Sequence, residues 1–257
     1  MMKNLILELG NSPDSRGFFS FVNQYLSACR YFNEDDDIYI TIDLIKKSKY
    51  YDQSITYTDN VWEYFFKKNE LEFKLNERTV WGEFGNFYGY KFDFNNLKER
   101  ILSEEVINKN LQPTPELSDK INKFYEKNFK GKKILGIHKR GTDIGLHHSL
   151  KEINEYFNEI DAIKENYDNI FISTDERSVI NVFKDKYPNI LFYSYESLSV
   201  TPGLPNFKAP TVKPYKMLED IIIDAYLLSK TSFLIQTNSN LSNFALLANS
   251  NLKFKRI

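Results

Sequence analysis

The pattern of apolar positions alternates between short buried runs and helical spacing almost from the start of the chain. Leu5 to Leu9 is an apolar run that enters the turn-rich loop Gly10 to Gly17, and it predicts a first buried strand. Phe18, Phe21, Val22, Tyr25 and Leu26 recur at helical spacing and predict a helix from Phe18 to Phe32. The acidic turn Glu34 to Asp37 leads to an alternating strand near Ile38 to Ile42. Strand, helix, strand is the opening of a parallel α/β layer. Between Tyr50 and Asn110 the periods blur, and only helices around Val61 to Lys68 and Phe94 to Val106 are predicted. Pro113 and Pro115 interrupt the chain before a helix over Glu116 to Asn128, with Gly131 as its stop.

The pattern sharpens in the second half. Lys133 to Lys139 reads as a strand. Ser149 and Glu152 form a capping box for a helix whose inner face carries Ile153, Phe157, Ile160 and Ile163 or Lys164. Asn169 to Thr174 is a strand, and Thr174 or Asp175 caps a helix that runs to Tyr187 and stops at Pro188. Ile190 to Tyr195 is a further strand. A proline-bearing loop then leads to a helix over Lys216 to Lys230, a strand over Phe233 to Thr237, and a helix capped by Asn238 or Ser239 that runs through Ala248. Strands alternating with amphipathic helices predict a doubly wound parallel sheet. The fold class is α/β, with one domain over residues 1–130, a second over 131–257, and a junction near Phe129 to Lys133.

Composition narrows the function classes. Acidic and basic residues, 35 and 34, are well mixed, which argues against a basic nucleic-acid face. The single cysteine, Cys29, excludes an intrachain disulfide framework and a thiolate zinc cluster, and fits a reducing, cytoplasmic setting. No apolar run reaches the roughly 18 to 20 residues of a bilayer span. The first residues read as a strand and not as a secretory signal. Aromatics reach 16%, enough to line a sugar-binding cleft, although a bias toward Phe and Tyr runs through the whole chain.

Three predicted strand ends carry polar clusters that a sheet could bring to one crevice. His138-Lys139-Arg140-Gly141-Thr142-Asp143 ends the first, Ser173-Thr174-Asp175-Glu176 the second, and Thr237-Asn238-Ser239-Asn240 the third, at the head of the last helix. Open α/β sheets bind ligands at such carboxyl ends. Arg140 offers the paired donors that suit a phosphate, and a helix N-terminus adds backbone N–H groups. Asp224 lies in the apolar run IIIDAYLL, where an unpaired carboxylate is costly, so it requires a partner in the protein or in a ligand. The set reads as a nucleotide-diphosphate site without a glycine-rich phosphate loop. Structural readings compete: a surface ion pair for Arg140, a packed ring for His138, a helix cap for Asp175. Asp35-Asp36-Asp37 precedes a strand instead of ending one, and so reads as a solvated turn and not as a metal-holding Asp-x-Asp.

These elements, in order, resemble the fucosyltransferase superfamily that includes core alpha-1,6-fucosyltransferases and nodulation fucosyltransferases. GIHKRGTD is similar to the family's strand followed by His-x-Arg and a nearby aspartate. FISTDERSVINVFKDKYPN is similar to its strand ending in Thr-Asp-Asp before a helix and Lys-Tyr-Pro. IIIDAYLLSKTSFLIQTNSNLSNFA is similar to its apolar helix with an aspartate, then a strand and a Thr-x-Ser-Ser turn. The match spans about Lys133 to Ala248. In the first half it extends only to a glycine-containing loop entering a helix at Arg16-Gly17-Phe18.

The resemblance implies a GT-B-like arrangement of two facing Rossmann-like domains, with GDP-fucose held mainly by the second. Arg140 would then bind the β-phosphate, His138 would shape the pocket, and Asp224 would read the guanine. Thr237, Ser239 and Asn240 would line the phosphates, Thr174 and Asp175 would stand where the family has its carboxylate, and Gly17 would complete the donor site. The implied reaction is an inverting transfer of fucose to a glycan hydroxyl without metal or other cofactor. The partners are then a nucleotide-sugar donor and a glycan acceptor, with no nucleic acid and no stable membrane span. Two departures bear on activity. Gly141 stands where core enzymes carry a second arginine, and Ile144-Gly145-Leu146-His147-His148 stands where an acidic base is expected. Asp143, His147 and His148 are the base candidates. The alternatives are a transferase using another nucleotide sugar, or a nucleotide-sugar-binding protein without catalysis.

Overall fold

The computed structural model of the chain describes residues 3–9, 17–31, 38–44, 49–67, 77–81, 92–140, 153–188, 191–192 and 212–257. The chain divides into two compact units, Met1–Ser118 and Asp119–Ile257.

In the first unit the strand β1 (Lys3–Leu9) is followed by helix α1 (Phe18–Tyr31) and strand β2 (Ile38–Leu44). Strand β3 (Glu77–Trp81) joins them in a three-stranded parallel sheet of order β2-β1-β3. Helix α2 (Leu97–Asn110) packs beside α1, and Arg30 Nε reaches Glu99 Oε1 at 3.3 Å. The strand–helix–strand opening follows the sequence pattern; β3, with its polar ERTVW composition, does not stand out in it.

Two expectations in this unit need correction. In place of the helix predicted around Val61 to Lys68, Val61–Tyr64 forms a single 3-10 turn, capped by Asn60, whose side chain accepts from Trp62 N at 3.1 Å; Lys68 lies outside the described residues. Val61, Trp62, Tyr64, Phe65 and Phe66 are all buried, a spacing without the single apolar stripe of an amphipathic helix. The chain instead leaves the turn to bridge Phe66 with Pro113, and Phe65 O accepts from Thr114 N at 2.8 Å. Helix α2 also starts later than Phe94, because Asn96 caps it by accepting from Glu99 N at 3.3 Å.

The aromatic excess in this unit is core. Phe18, Tyr25, Trp62 and Phe66 form one cluster, with Trp62 4.7 Å from Phe66 and 5.5 Å from Tyr25 between ring centres. The Tyr50 hydroxyl accepts from Phe18 N at 2.9 Å, satisfying one of the donors that every helix start leaves open. Cys29 is buried in α1, and burial pushes its thiol up to about 12, so it stays protonated and inert.

Helix α3 (Pro115–Asn128) leads into the second unit, and Gly131, at φ 73°, takes the left-handed turn that ends it. Then follow β4 (Ile134–Lys139), α4 (Ile153–Ile163), β5 (Asn169–Thr174), α5 (Arg177–Lys186), β6 (Leu191–Phe192), α6 (Pro214–Ser229), β7 (Phe233–Gln236), α7 (Asn240–Leu247) and β8 (Lys253–Arg256). The five strands pair in parallel in the order β6-β5-β4-β7-β8. The edge strand β8 escapes the sequence pattern because only Phe254 among its residues is apolar, and its lysines and arginine suit an open edge. The capping box at Ser149 and Glu152, and Ile190 with Tyr193 to Tyr195 of the predicted strand Ile190 to Tyr195, lie outside the described residues.

Parity along the strands sorts the helices. Leu135, Ile137, Ile170, Ile172 and Ile235 meet Tyr156 and Ile160 of α4 and Val179, Ile180 and Phe183 of α5. The alternate residues face α3 and α6: Phe171 lies 5.3 Å from Phe129 and 6.0 Å from Phe124. Gly136 is required on that face, since a Cβ there would stand 2.7 Å from Thr231 Oγ1. Burial on both faces is what makes β4 and β5 near-continuous apolar runs.

Candidate functional site

From β4 the chain steps outward to β5 and β6, then returns to the other side of β4 as β7 and β8. The strand order therefore reverses between β4 and β7, which is where open α/β sheets form a ligand crevice at their carboxyl ends. His138 and Arg140 lie at that end of β4, and Thr237 to Asn240 follow that end of β7.

The pairing register assembles the site further. His138 pairs with Ser173 on β5 and with Gln236 on β7, and Gln236 pairs with Arg256 on β8. Ser173, His138, Gln236 and Arg256 thus form one cross-strand rank of polar residues, on the face that carries α6. The next rank on the same face, Phe171, Gly136, Leu234 and Phe254, holds no polar side chain, so the polar chemistry of that face lies at the carboxyl edge.

His138 is buried, and its Nδ1 lies 3.4 Å from Ser239 Oγ. Burial, then the charges of Arg140 and Lys139, lower its pKa to about 3. The ring is therefore neutral at physiological pH, a packed hydrogen-bonding group and not a cation. Its backbone oxygen accepts from the Tyr156 hydroxyl at 3.1 Å, which ties this strand end to α4. Arg140 follows directly, half-buried.

Ser239 caps α7: its hydroxyl accepts from Ser242 N at 3.2 Å, as the sequence pattern anticipates. Ser242 Oγ in turn donates to Thr237 O at 3.1 Å. Thr237 is half-buried, and Asn240, the first residue of α7, is exposed. Asn243, buried one turn on, donates through Nδ2 to Asn238 Oδ1 at 2.9 Å and accepts from Arg256 Nη2 at 3.1 Å.

Asp224 finds a protein partner. It is buried on α6, and Ser173 Oγ donates to its Oδ2 at 2.5 Å. Its Oδ1 has no hydrogen-bond partner among the described residues. Burial raises its pKa well above the usual carboxylate range, and the Ser173 hydrogen bond offsets only part of that.

Thr174 is buried at the end of β5, and its hydroxyl accepts from Glu176 N at 3.4 Å. The helix-cap reading of Thr174 and Asp175 needs correction: α5 begins at Arg177 with Glu176 in the cap position, and no side chain closes it. Asp175 is half-buried in the turn between them. Gly17 lies in the first unit, where a Cβ would meet open space, so local packing there does not require glycine. Asp143, His147, His148 and Gly141, with Asp35 to Asp37, lie outside the described residues.

The site residues brought together are thus His138, Arg140, Thr237, Ser239 and Asn240 at the crevice, with Asp224 and Thr174 at the neighbouring strand end. Gln236, Asn243 and Arg256 were not singled out from the sequence. Their signal is positional: each is polar at the last rank of a strand or on the helix that covers it. Among the described residues no group of three or more His, Cys, Asp or Glu side chains is placed to hold a metal ion. No helix among them is long and apolar enough to cross a membrane.

Comparison with known proteins places these features. The family model described as "Alpha-(1,6)-fucosyltransferase N- and catalytic domains" matches residues 104–242, more than half of the chain, from α2 to the head of α7. Among solved structures, a NodZ alpha-1,6-fucosyltransferase soaked with GDP-fucose superposes with a TM-score of 0.60 at 17% identity, covering 97% of this chain and 93% of that one. Fucosyltransferase NodZ from Bradyrhizobium gives 0.58 at 16% identity over 95% and 92%. POFUT1 in complex with GDP-fucose gives 0.55 at 9% identity over 98% and 97%. At these identities the likeness establishes the fold, an α/β architecture of the GT-B-like class expected from the sequence.

Proposed function

The chain belongs to the alpha-(1,6)-fucosyltransferase N- and catalytic domain family and is a glycosyltransferase, and on that premise we propose that it moves fucose from GDP-fucose to a glycan hydroxyl, inverting the anomeric centre without a metal ion. The observation that carries this reading is the juxtaposition at the β4–β7 switch point. A neutral His138 meets the cap residue Ser239 of α7 there, and Arg140 follows at the same strand end.

In this mechanism Arg140 binds the β-phosphate and neutralises the charge that develops as the bond from the anomeric carbon to the phosphate oxygen breaks. The bonding electrons pass to that oxygen, and GDP leaves. The α7 head, with Ser239, Thr237 and Asn240, adds hydrogen bonds and a favourable dipole to the same anion. Asp224 reads the guanine through Oδ1, which has no partner among the described residues and can accept from guanine N1–H or its exocyclic 2-amino group. Thr174 at the end of β5 and Asp175 just after it border the pocket. The acceptor hydroxyl attacks from the opposite face while a base takes its proton; Asp143, His147 and His148 are the candidates. His138 is no candidate, because a ring with a pKa of about 3 is too weak a base at neutral pH.

This reading takes residues 131–257 as the donor domain and residues 1–130 as the acceptor side. It sets the protein in the cytoplasm, which the lone buried cysteine supports. The test is a panel of GDP-fucose, GDP-mannose and UDP-sugars, scored for thermal protection and for mass transfer onto oligosaccharides. Protection and transfer with GDP-fucose alone are expected. Transfer from another donor would change the donor assignment, and protection by GDP with no transfer to any acceptor would make the protein a nucleotide-sugar binder.

A further inference from the structure

The chain of side chains Arg256, Asn243, Asn238 has a direction. A guanidinium carries donors only, so Asn243 must turn its Oδ1 toward Arg256 Nη2, 3.1 Å away. That choice leaves Asn243 Nδ2 to donate to Asn238 Oδ1 at 2.9 Å. The oxygen of Asn238 is thereby engaged, and its NH2 group, with two N–H donors, is the part left for other partners. Asn238 is exposed, between Thr237 and the cap residue Ser239.

A second observation marks the same place. Gln236, two residues earlier and in register with Arg256, is fully buried, and neither atom of its carboxamide has a hydrogen-bond partner among the described residues. Buried amide groups of that kind are normally satisfied. The end of β7 therefore combines polar capacity left open in the protein with a relay that sets donors at the helix head.

We propose that Asn238 is a further residue of the donor site, oriented by Arg256 through Asn243 so that its carboxamide NH2 hydrogen-bonds the diphosphate. This rests on the donor reading above and adds the residue that reads phosphate beside Arg140, where Gly141 supplies no side chain. The nearby positive guanidinium of Arg256 acts through the relay and also favours the anion.

Titration calorimetry of the full chain with GDP and with guanosine tests this. Asn238→Asp keeps the acceptor for Asn243 and replaces the NH2 by an anionic oxygen. It should leave the thermal midpoint unchanged, leave guanosine binding unchanged and weaken GDP at least about tenfold. Asn238→Ala, which adds no charge, should weaken GDP about three- to tenfold, the size of one ordinary hydrogen bond. Arg256→Met should weaken GDP in the same range, with Arg256→Lys restoring much of the loss. GDP binding by Asn238→Asp as tight as that of the unaltered protein overturns the proposal alone. So does a parallel loss of guanosine binding. Failure of the unaltered protein to bind GDP overturns the donor reading, and this inference with it.

Discussion

The Ser173 hydroxyl donates to Oδ2 of Asp224 over 2.5 Å, joining the carboxyl end of β5 to the middle of α6 inside the protein. One oxygen of the carboxyl is thus held by the fold, and the other has no partner among the described residues. This geometry opposes stability and binding. Burial holds the Asp224 pKa above its unfolded value, so its contribution to stability is complete below about pH 4 and is lost as pH rises. Asp224→Asn keeps an acceptor for Ser173 and removes the ionisation. We expect a higher melting temperature than the unaltered protein at pH 7, a gain that shrinks toward pH 4, and loss of GDP binding. Thermal melts across that range, with GDP titrations at pH 7, check both halves. Unimpaired GDP binding would remove Asp224 from the donor site.

The imidazole of His138 carries the opposite pH signature. Its pKa falls from 6.5 to about 3 on folding, mainly through burial. A depressed value means that the unfolded chain takes up the proton first. The stability contributed by the neutral ring is therefore present above about pH 6.5 and drains away as pH falls toward 3. His138→Asn, which keeps a hydrogen-bonding group near Ser239, should flatten that acid limb. Urea unfolding at pH 7, 5.5 and 4.5 measures it, and an unchanged slope would mean that another group sets the acid sensitivity.

Arg140 makes the sharpest functional prediction. Arg140→Ala should abolish transfer and weaken GDP binding while leaving the melting temperature within a few degrees, since the side chain is half-buried at a strand end. Arg140→Lys keeps the charge but not the planar fork, and should retain only a small part of the activity. Single-turnover assays with GDP-fucose separate the two. Normal turnover in Arg140→Ala would remove the central assignment.

How much of this was legible in the sequence follows from how each part is stabilised. Strands β4 and β5 are buried on both faces, so their apolar runs are visible without knowledge of any partner. The chemistry at their ends, His138, Arg140, Thr174, and Ser239 after β7, was visible for the same reason: polarity begins where burial of the strand stops. The helix predicted around Val61 to Lys68 gives way to a 3-10 turn at Val61–Tyr64, where nearly every successive residue is buried and no single apolar face recurs. Strands β3 and β8 do not stand out because their sequences, ERTVW and KFKR, hold no continuous apolar run. Gln236, Asn243 and Arg256 depend on register across β7 and β8, and no local pattern encodes register.

Charge arithmetic at the crevice yields the last prediction. A leaving diphosphate gathers negative charge, and metal-dependent transferases meet it with a bound divalent ion. Here Arg140 supplies one full positive charge, and the head of α7 supplies roughly half of another. Lys139, buried beside Thr174 in the β4–β5 register, adds a further positive charge at the same edge. Those charges are fixed on a strand end and a capped helix, so they need no reorganisation as the bond breaks. Transfer should therefore be unchanged by excess EDTA and by added magnesium or manganese. It should weaken with rising salt, because part of the attraction for the diphosphate is screened. Assays at constant GDP-fucose across both series decide the matter. Activity lost to EDTA and restored by manganese would shift the charge-neutralising role from Arg140 to a metal, with Asp35 and Asp37 the first residues to substitute.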